Sequence, residues 1–263
     1  MSLRIYNNTI ADFEGAKLLS ITKLQRLASA DFSTAIKTLL EYGYVATDNN
    51  DIDLFMSAQY NRLKDFIDEY CDNKNLKTFL LNRFNFVKDN SKTPEETTDI
   101  DLLKAKHSKD LETSKKLGKN YLAYSKLEID LATILTSYRA TKLAFNYDKL
   151  SQELFDGGTI NLDEFEVLKT KGFSALATEL QATPLENPVN ALLNNDITLF
   201  RKSSSETLYN TLAPEFESFL KFGPLLKYCI NCVNEYKIVN YILVALKNNI
   251  SLDLTKLWSA AHE

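Results

Sequence analysis

Two long stretches of this chain share a residue pattern at a fixed offset, and this feature constrains the fold most. Tyr121 falls on Tyr228, and Glu128 falls on Glu235. In each stretch the apolar side chains recur at steps of three and four residues, which is the spacing of one face of an α-helix. A copied helical stretch is typical of stacked helical units rather than of a single enzyme pocket. The repeat therefore predicts a fold of stacked helical units, and by itself it does not predict a catalytic activity.

A low content of turn-forming residues also favours long helices. The chain has 7 glycines and 5 prolines in 263 residues, and 44% of its residues are hydrophobic. A β-sandwich or barrel of this length needs many more turns. We therefore predict an all-α fold, a multi-lobed helical bundle built from two or three pseudo-repeated helical units.

Two breaks in the apolar pattern predict the lobe boundaries. Residues 89–101 are rich in Ser, Thr, Asp and Glu and contain one apolar residue, Ile100, which is typical of a linker. Pro184 and Pro188 interrupt the chain again, because proline lacks a backbone donor and disfavours helix in the residue before it. The predicted division is an N-terminal lobe at 1–88, the linker at 89–101, a second lobe at 102–182 and a third lobe at 183–263. The N-terminal lobe is expected to contain a degenerate first copy of the repeat.

Charge and hydropathy exclude several classes of protein. A formal net charge of -4 gives no global electrostatic reason to bind nucleic acid or an anionic membrane. No run approaches the roughly 18 to 20 apolar residues that span a bilayer; the strongest, residues 238–246, is interrupted by Asn240. The N-terminus lacks the apolar core of a secretory signal. We expect a cytoplasmic protein whose membrane contact, if any, is peripheral.

The cysteines and histidines predict neither a metal centre nor a redox site. Cys229 and Cys232 are spaced for either chemistry, but they lie on a regular apolar seam, and a zinc site requires two more ligands. The two histidines, His107 and His262, stand apart from them. We predict that the cysteines pack in the core, and we expect no metal and no cofactor.

Glycine recurs at one turn between the predicted second-lobe helices. Gly157 and Gly158 are expected to supply the positive φ angles that end one helix and redirect the chain. A phosphate-binding loop is excluded because the pair lacks a third glycine, a Lys-Ser/Thr and a preceding strand.

The repeated acids admit two interpretations. Glu128 and Glu235 each lie on a largely apolar helical face, where a carboxylate must find donors or take up a proton. They could act as a general acid and base, which requires the two carboxyl groups to lie within about 10 Å of each other. Alternatively, each anchors a polar contact between helices, with Arg139, Arg201 or a tyrosine hydroxyl as partner. Repetition favours the anchor, because a packing device is copied with its unit.

Each of the two stretches carries longer sequence motifs. The first carries Glu128-Ile129-Asp130-Leu131, Ile134-Leu135-Thr136-Ser137-Tyr138-Arg139-Ala140 and Leu154-Phe155-Asp156-Gly157-Gly158-Thr159-Ile160. The second carries Gly223-Pro224-Leu225-Leu226-Lys227-Tyr228, then Asn234-Glu235-Tyr236-Lys237-Ile238-Val239-Asn240-Tyr241-Ile242-Leu243. With these motifs both stretches resemble the family of the d subunit of V-type ATPases, which is named the C subunit in archaeal-type enzymes. The resemblance covers roughly residues 110–260, and more weakly 15–88.

The resemblance implies a non-catalytic central-stalk subunit of a rotary ATPase. Such a subunit lies on the cytoplasmic face of the membrane and joins the rotor ring to the central-axle subunits D and F during ion transport. It has no small-molecule substrate and no nucleic-acid partner. The structural or interface candidates are Glu128, Asp130, Arg139, Tyr228 and Glu235. The alternatives are a free-standing helical protein-interaction module unrelated to a rotary ATPase and, more remotely, a hydrolase that uses Glu128 and Glu235.

Overall fold

The structure is a computed structural model that describes residues 3–47, 51–84, 99–143, 154–160 and 171–254. All regular secondary structure in these ranges is helical, which confirms the predicted all-α fold. The helices are α1 (Leu3–Gly15), α2 (Ile21–Ala28), α3 (Phe32–Glu41), α4 (Ile52–Tyr70), α5 (Lys74–Phe84), α6 (Asp99–Leu117), α7 (Lys119–Lys142), α8 (Phe173–Glu179), α9 (Glu186–Leu193), α10 (Ile197–Phe216) and α11 (Gly223–Lys247).

The chain divides into two compact units. The first contains residues 1–89 together with 213–263, and the second contains residues 90–212. The C-terminal segment thus returns to complete the unit that the N-terminal segment begins. Three lobes remain a prediction from the sequence, and the residues of the predicted third lobe, 183–263, are shared between the two units.

Helix α11 is the centre of the first unit. Its apolar seam is buried as the spacing predicted, with Leu225, Cys229, Val239 and Leu243 each at 0% exposure. Helices α1 to α5 all pack against it. Pro224 lies in its first turn, where the missing backbone donor costs nothing. Because α11 is 25 residues long and packs against five other helices, it forms the rigid central helix of this unit.

Helix α7 organises the second unit. It packs along α6 and contacts α8 and α9. The core between them includes Ile134, Leu176 and Leu192, all at 0% exposure. Such complete burial of large aliphatic side chains is the main source of stability in a bundle of this kind.

Some predicted elements differ from the structure or fall outside the described residues. The spacing of apolar residues predicts one long helix from about Leu117 to Phe145, whereas α7 begins at Lys119. Gly118 adopts a φ of 136° and separates α7 from α6. The sequence also favours Pro214 in the first turn of a helix, but the residue lies inside α10. Because α10 ends at Phe216, the missing backbone donor affects only its last turn. The part of the predicted linker up to residue 98, and a further helix that the sequence predicts at 162–168, lie outside the described residues.

Candidate functional site

A buried carboxylate joins three segments of the first unit. Glu235 projects from the middle of α11 and is only 6% exposed. Its Oε1 accepts a hydrogen bond from the Tyr44 hydroxyl at 2.7 Å. Its Oε2 accepts the backbone N–H of Leu19, which lies between α1 and α2. One side chain therefore ties α11 to two connections that are remote from it in sequence.

The connection that carries Tyr44 is itself held firmly. The Gln59 amide of α4 donates to the Val45 carbonyl at 2.9 Å and accepts the Val45 N–H at 2.8 Å. The Tyr44 ring stacks on Phe55 and meets Tyr236 edge to face. These contacts hold the phenol against Glu235, so its hydroxyl is an oriented donor.

Burial dominates the electrostatics of this site. It raises the pKa of Glu235 above its ordinary value, and the bonds from Leu19 and Tyr44 only partly oppose that shift. The same environment raises the pKa of the Tyr44 phenol, first through burial and then through the neighbouring carboxylate. The charged form of Glu235 is therefore costly in the folded protein.

Glu235 also lines an open groove between α1 and α11, which we call the α1–α11 groove. Its volume is about 420 Å³. Its lining is formed by Ala11, Asp12, Gly15, Ala16, Leu18, Leu19, Ser20, Pro224, Lys227, Tyr228, Asn231 and Glu235. Two of the predicted site residues, Tyr228 and Glu235, thus border the same cavity.

A second buried carboxylate organises the second unit. Asp130 of α7 is 1% exposed. It accepts the Thr159 N–H at 2.9 and 3.0 Å, the Thr159 hydroxyl at 2.5 Å and the Ile160 N–H at 3.2 Å. Burial raises the pKa of Asp130, although these donors oppose the shift. The carboxylate fixes the turn at residues 156–160 to the middle of α7.

The two glycines of this turn serve different purposes. Gly157 has a φ of 98°, as predicted, which a residue with a side chain adopts only under strain. Gly158 does not have a positive φ, so that part of the prediction is wrong. A Cβ on Gly158 would instead lie 1.9 Å from Oδ1 of Asp130. The second glycine is required because the carboxylate approaches the backbone so closely.

The structure places the predicted site residues in unequal environments. Glu128 is half-buried and Arg139 is exposed on α7. Tyr228 is half-buried against Phe66, with ring centroids 4.8 Å apart. At the offset that pairs Glu128 with Glu235, the buried Asp130 falls on Lys237. The pseudo-repeat is therefore not confirmed, because the buried acids of α7 and α11 do not coincide in it.

The donors to the two carboxylates were not predicted from the sequence. A tyrosine hydroxyl was one expected partner of Glu235, but Tyr44 was not identified as that tyrosine. Leu19 contributes only its backbone N–H, which no side-chain pattern reveals. Thr159 follows the Gly157-Gly158 pair and could have been found from the proximity of a polar residue to that turn.

The three cysteines are core residues. Cys71, Cys229 and Cys232 are free thiols and are 5%, 0% and 2% exposed. Burial raises the pKa of Cys71 to about 11 and that of Cys232 to about 12. Thiols with raised pKa values are poor nucleophiles and poor metal ligands at neutral pH. Among the described residues no group of His, Cys, Asp and Glu is arranged to hold a metal ion.

Comparison with protein families identifies the class of the chain. The family model described as ATP synthase (C/AC39) subunit matches residues 99–256, which is more than half of the 263 residues. The chain belongs to this family of V/A-type ATPase subunits. A comparison with curated proteins gives no match.

Family membership bears directly on two predictions. The family is a non-catalytic part of the ATPase, so the chain is not itself an enzyme and the hydrolase alternative is wrong. The matched range includes Asp130 and Glu235 but excludes Leu19 and Tyr44.

Of the described helices, none combines the length and the apolar character needed to cross a bilayer.

Proposed function

We propose that this chain is the central-stalk subunit of a V-type rotary ATPase and couples the membrane rotor ring to the axle subunits D and F during ion transport. The observation that carries the proposal is the family match over residues 99–256, which includes the whole of α7 and α11. In this role the chain lies peripherally on the cytoplasmic face of the membrane.

The packing of α11 supports a mechanical role. A subunit that passes torque must resist twisting, and α11 is held by five neighbouring helices. Close packing gives protein interiors low compressibility, so strain applied at one end of the helix is transmitted to the other. Glu235 adds directional bonds to Leu19 and Tyr44, which oppose sliding of α11 past these connections.

Both carboxylates are suited to fixing helix register rather than to carrying ions. Glu235 is bonded by Leu19 and Tyr44, and Asp130 is bonded by Thr159 and Ile160. An acid that relays ions must exchange its partners, whereas buried acids held by oriented donors specify one arrangement of the surrounding backbone. We propose that they keep each unit rigid while the complex rotates.

Deletion and complementation of the gene test the proposal. Removing the chain should abolish ATP-driven ion uptake into membrane vesicles, while the detached catalytic head retains ATP hydrolysis. The wild-type gene should restore uptake. Unchanged uptake in the deletion strain would contradict the proposal and would favour a free-standing interaction module.

Variants at the two carboxylates test their proposed mechanical role. We expect the double replacement of Glu235 and Asp130 by glutamine and asparagine to reduce assembly without altering the transported ion. Normal assembly combined with altered ion selectivity would contradict the register role.

A further inference from the structure

The second unit concentrates positive charge in one short part of the chain. Seven lysines lie in the stretch from Lys104 to Lys126, which contains only two acids, Asp110 and Glu112. The rest of residues 90–212 contains eight basic and sixteen acidic residues. A stretch with a formal charge of +5 therefore belongs to a unit whose other residues carry a formal charge of −8.

Four of these lysines form an exposed surface where α6 meets α7. Lys109, Lys115 and Lys116 lie on α6, and Lys119 is the first residue of α7. All four side chains are exposed. Because α6 packs along α7, these side chains lie on the solvent side of the helix pair. We call Lys109, Lys115, Lys116 and Lys119 the basic face.

The basic face is not neutralised within the fold. In the described part of the chain, no ion pair involves any of its four lysines. Glu112 is the one exposed acid on α6 between Lys104 and Leu117, so it can offset one charge of the four. Exposed surfaces usually mix charges of both signs, and like charges one helical turn apart repel each other. Uncompensated lysines at this density favour an anionic partner.

The composition of the basic face discriminates among anionic partners. Among the side chains that the structure describes on α6 and α7, no large hydrophobic one is exposed for insertion into a lipid bilayer. The face contains no arginine to bind phosphates bidentately and no aromatic ring to stack on bases. A membrane or a nucleic acid would also meet the negative charge of the remaining second unit, whereas a short acidic segment meets only the lysines.

We propose that the basic face docks a short acidic segment of a partner protein, whose Asp and Glu carboxylates pair with the four lysines. Lys109 and Lys116 are separated by about 10 Å along α6, which matches two turns of an acidic helix or about three residues of an extended segment. Single exposed ion pairs contribute little, so affinity arises from several pairs formed together and is screened by salt.

Fluorescence anisotropy of a labelled hexaglutamate peptide, titrated with the isolated full-length chain, tests the docking site. We expect saturable binding at low ionic strength that weakens about tenfold or more when salt is raised from about 0.05 to about 0.5 M. The uncharged hexaglutamine peptide should not bind. Failure of hexaglutamate to bind, or equal binding of hexaglutamine, would overturn the proposal.

Charge reversal locates the binding surface. Replacing three lysines of the basic face by glutamate should weaken hexaglutamate binding at least about tenfold, because attractive pairs become repulsive ones; the three are Lys115, Lys116 and Lys119. The matched control changes the net charge equally by reversing three exposed lysines of the first unit, namely Lys37, Lys64 and Lys247. The control should bind almost as the wild type does. Equal weakening in both variants would overturn the proposal, because total charge would then explain the binding.

Two further variants separate the charge effect from folding. Replacing Lys115, Lys116 and Lys119 by arginine keeps the charge, so binding of hexaglutamate should persist. Glu112→Gln removes the one exposed acid beside the basic face and should strengthen binding about twofold. Loss of binding in the arginine variant with its thermal stability unchanged, or weaker binding in Glu112→Gln, would contradict docking through charge.

Crosslinking and lipid binding complete the test. Carbodiimide joins a lysine amine to a carboxylate in contact with it, so mass spectrometry should find hexaglutamate attached chiefly to the basic face. Attachment chiefly to other lysines would overturn the proposal. Vesicles of phosphatidylcholine and phosphatidylserine should not displace the peptide; displacement would assign the face to lipid and overturn it as well. These results are independent of the proposed coupling role, because the chain is tested alone.

Discussion

Asp130 and Glu235 are both buried carboxylates that accept hydrogen bonds from protein donors, but the donors lie at very different sequence separations. Asp130 binds a turn that follows it by 29 and 30 residues, whereas Glu235 binds groups that precede it by 191 and 216 residues. Asp130 receives three donors from two adjacent residues. Glu235 receives two donors from two unrelated connections. The Asp130 site fixes a turn that is near it in sequence, whereas the Glu235 site joins segments that are far apart in sequence.

This difference determines which site depends on the whole fold. The turn at residues 156–160 can meet α7 as soon as the intervening chain folds back, because loop closure over a short segment costs little entropy. The Glu235 site exists only after the N-terminal helices have packed on α11. We therefore expect changes at Glu235 to affect the entire first unit, and changes at Asp130 or Gly158 to affect the second.

The largest effect is expected from Glu235→Ala. Loss of the carboxylate leaves the Leu19 N–H unsatisfied and creates a cavity, which together cost about 3 kcal/mol of unfolding free energy. Urea denaturation followed by circular dichroism measures the loss, and hydrogen exchange should show it in the first unit. Lys227→Ala, an exposed change on the same helix, is the control and should stay within about 0.5 kcal/mol. Equal stability of the two variants would contradict the anchor role.

Gly158→Ala should destabilise the second unit by about 2 kcal/mol, because its Cβ would overlap the carboxylate and force the turn or Asp130 to move. The added Cβ would lie 1.9 Å from Oδ1 of Asp130. Gly15→Ala is the matched control, because its Cβ would meet nothing closer than Tyr228 at 3.9 Å. That control should be neutral or slightly stabilising, and urea denaturation of both variants measures the difference.

A double variant sharpens this prediction. In an Asp130→Ala background the clash with the carboxylate is absent, so Gly158→Ala should cost much less than in the wild type. Additive effects of the two changes would show that the close approach is not the cause.

Tyr44→Phe should lower the unfolding free energy by about 1 kcal/mol, because Glu235 loses one donor while the ring packing persists. The change should also raise the pKa of Glu235 further. Carbon-13 NMR titration of the Glu235 carboxyl measures that shift. An unchanged pKa would mean that the Tyr44 hydroxyl does not stabilise the charged carboxylate.

The smallest effect is a dependence of stability on pH. The folded pKa of Glu235 is raised above its ordinary value of 4.5, so between these two values the folded state binds more protons than the unfolded state. The contribution of Glu235 to stability is therefore fully present below 4.5 and is lost as pH rises through the folded pKa. The difference in unfolding free energy between the wild type and Glu235→Gln should therefore decrease as pH rises through this range. A difference that rises with pH would contradict the sign of the shift.

The helical class and the seam of α11 could be predicted from the sequence, because helical periodicity is a local property. Glu235 could likewise be recognised as an acid on an apolar face. Leu19 and Tyr44 could not be identified, since those contacts arise from packing between distant segments. The pseudo-repeat is not confirmed. The sequence match pairs Glu128 with Glu235, but Glu128 is half-buried and the buried acid of α7 is Asp130. Burial depends on which side of a helix packs against a neighbour, and a match between residue types does not determine that.

Affinity purification of the tagged full-length chain from its native cells tests the central claim most directly. We predict that the rotor ring and the axle subunits D and F are recovered in fixed stoichiometry with one copy of the chain. We also predict that Glu235→Ala reduces this recovery. Recovery of the wild-type chain without any rotary ATPase subunit would contradict the proposed coupling role.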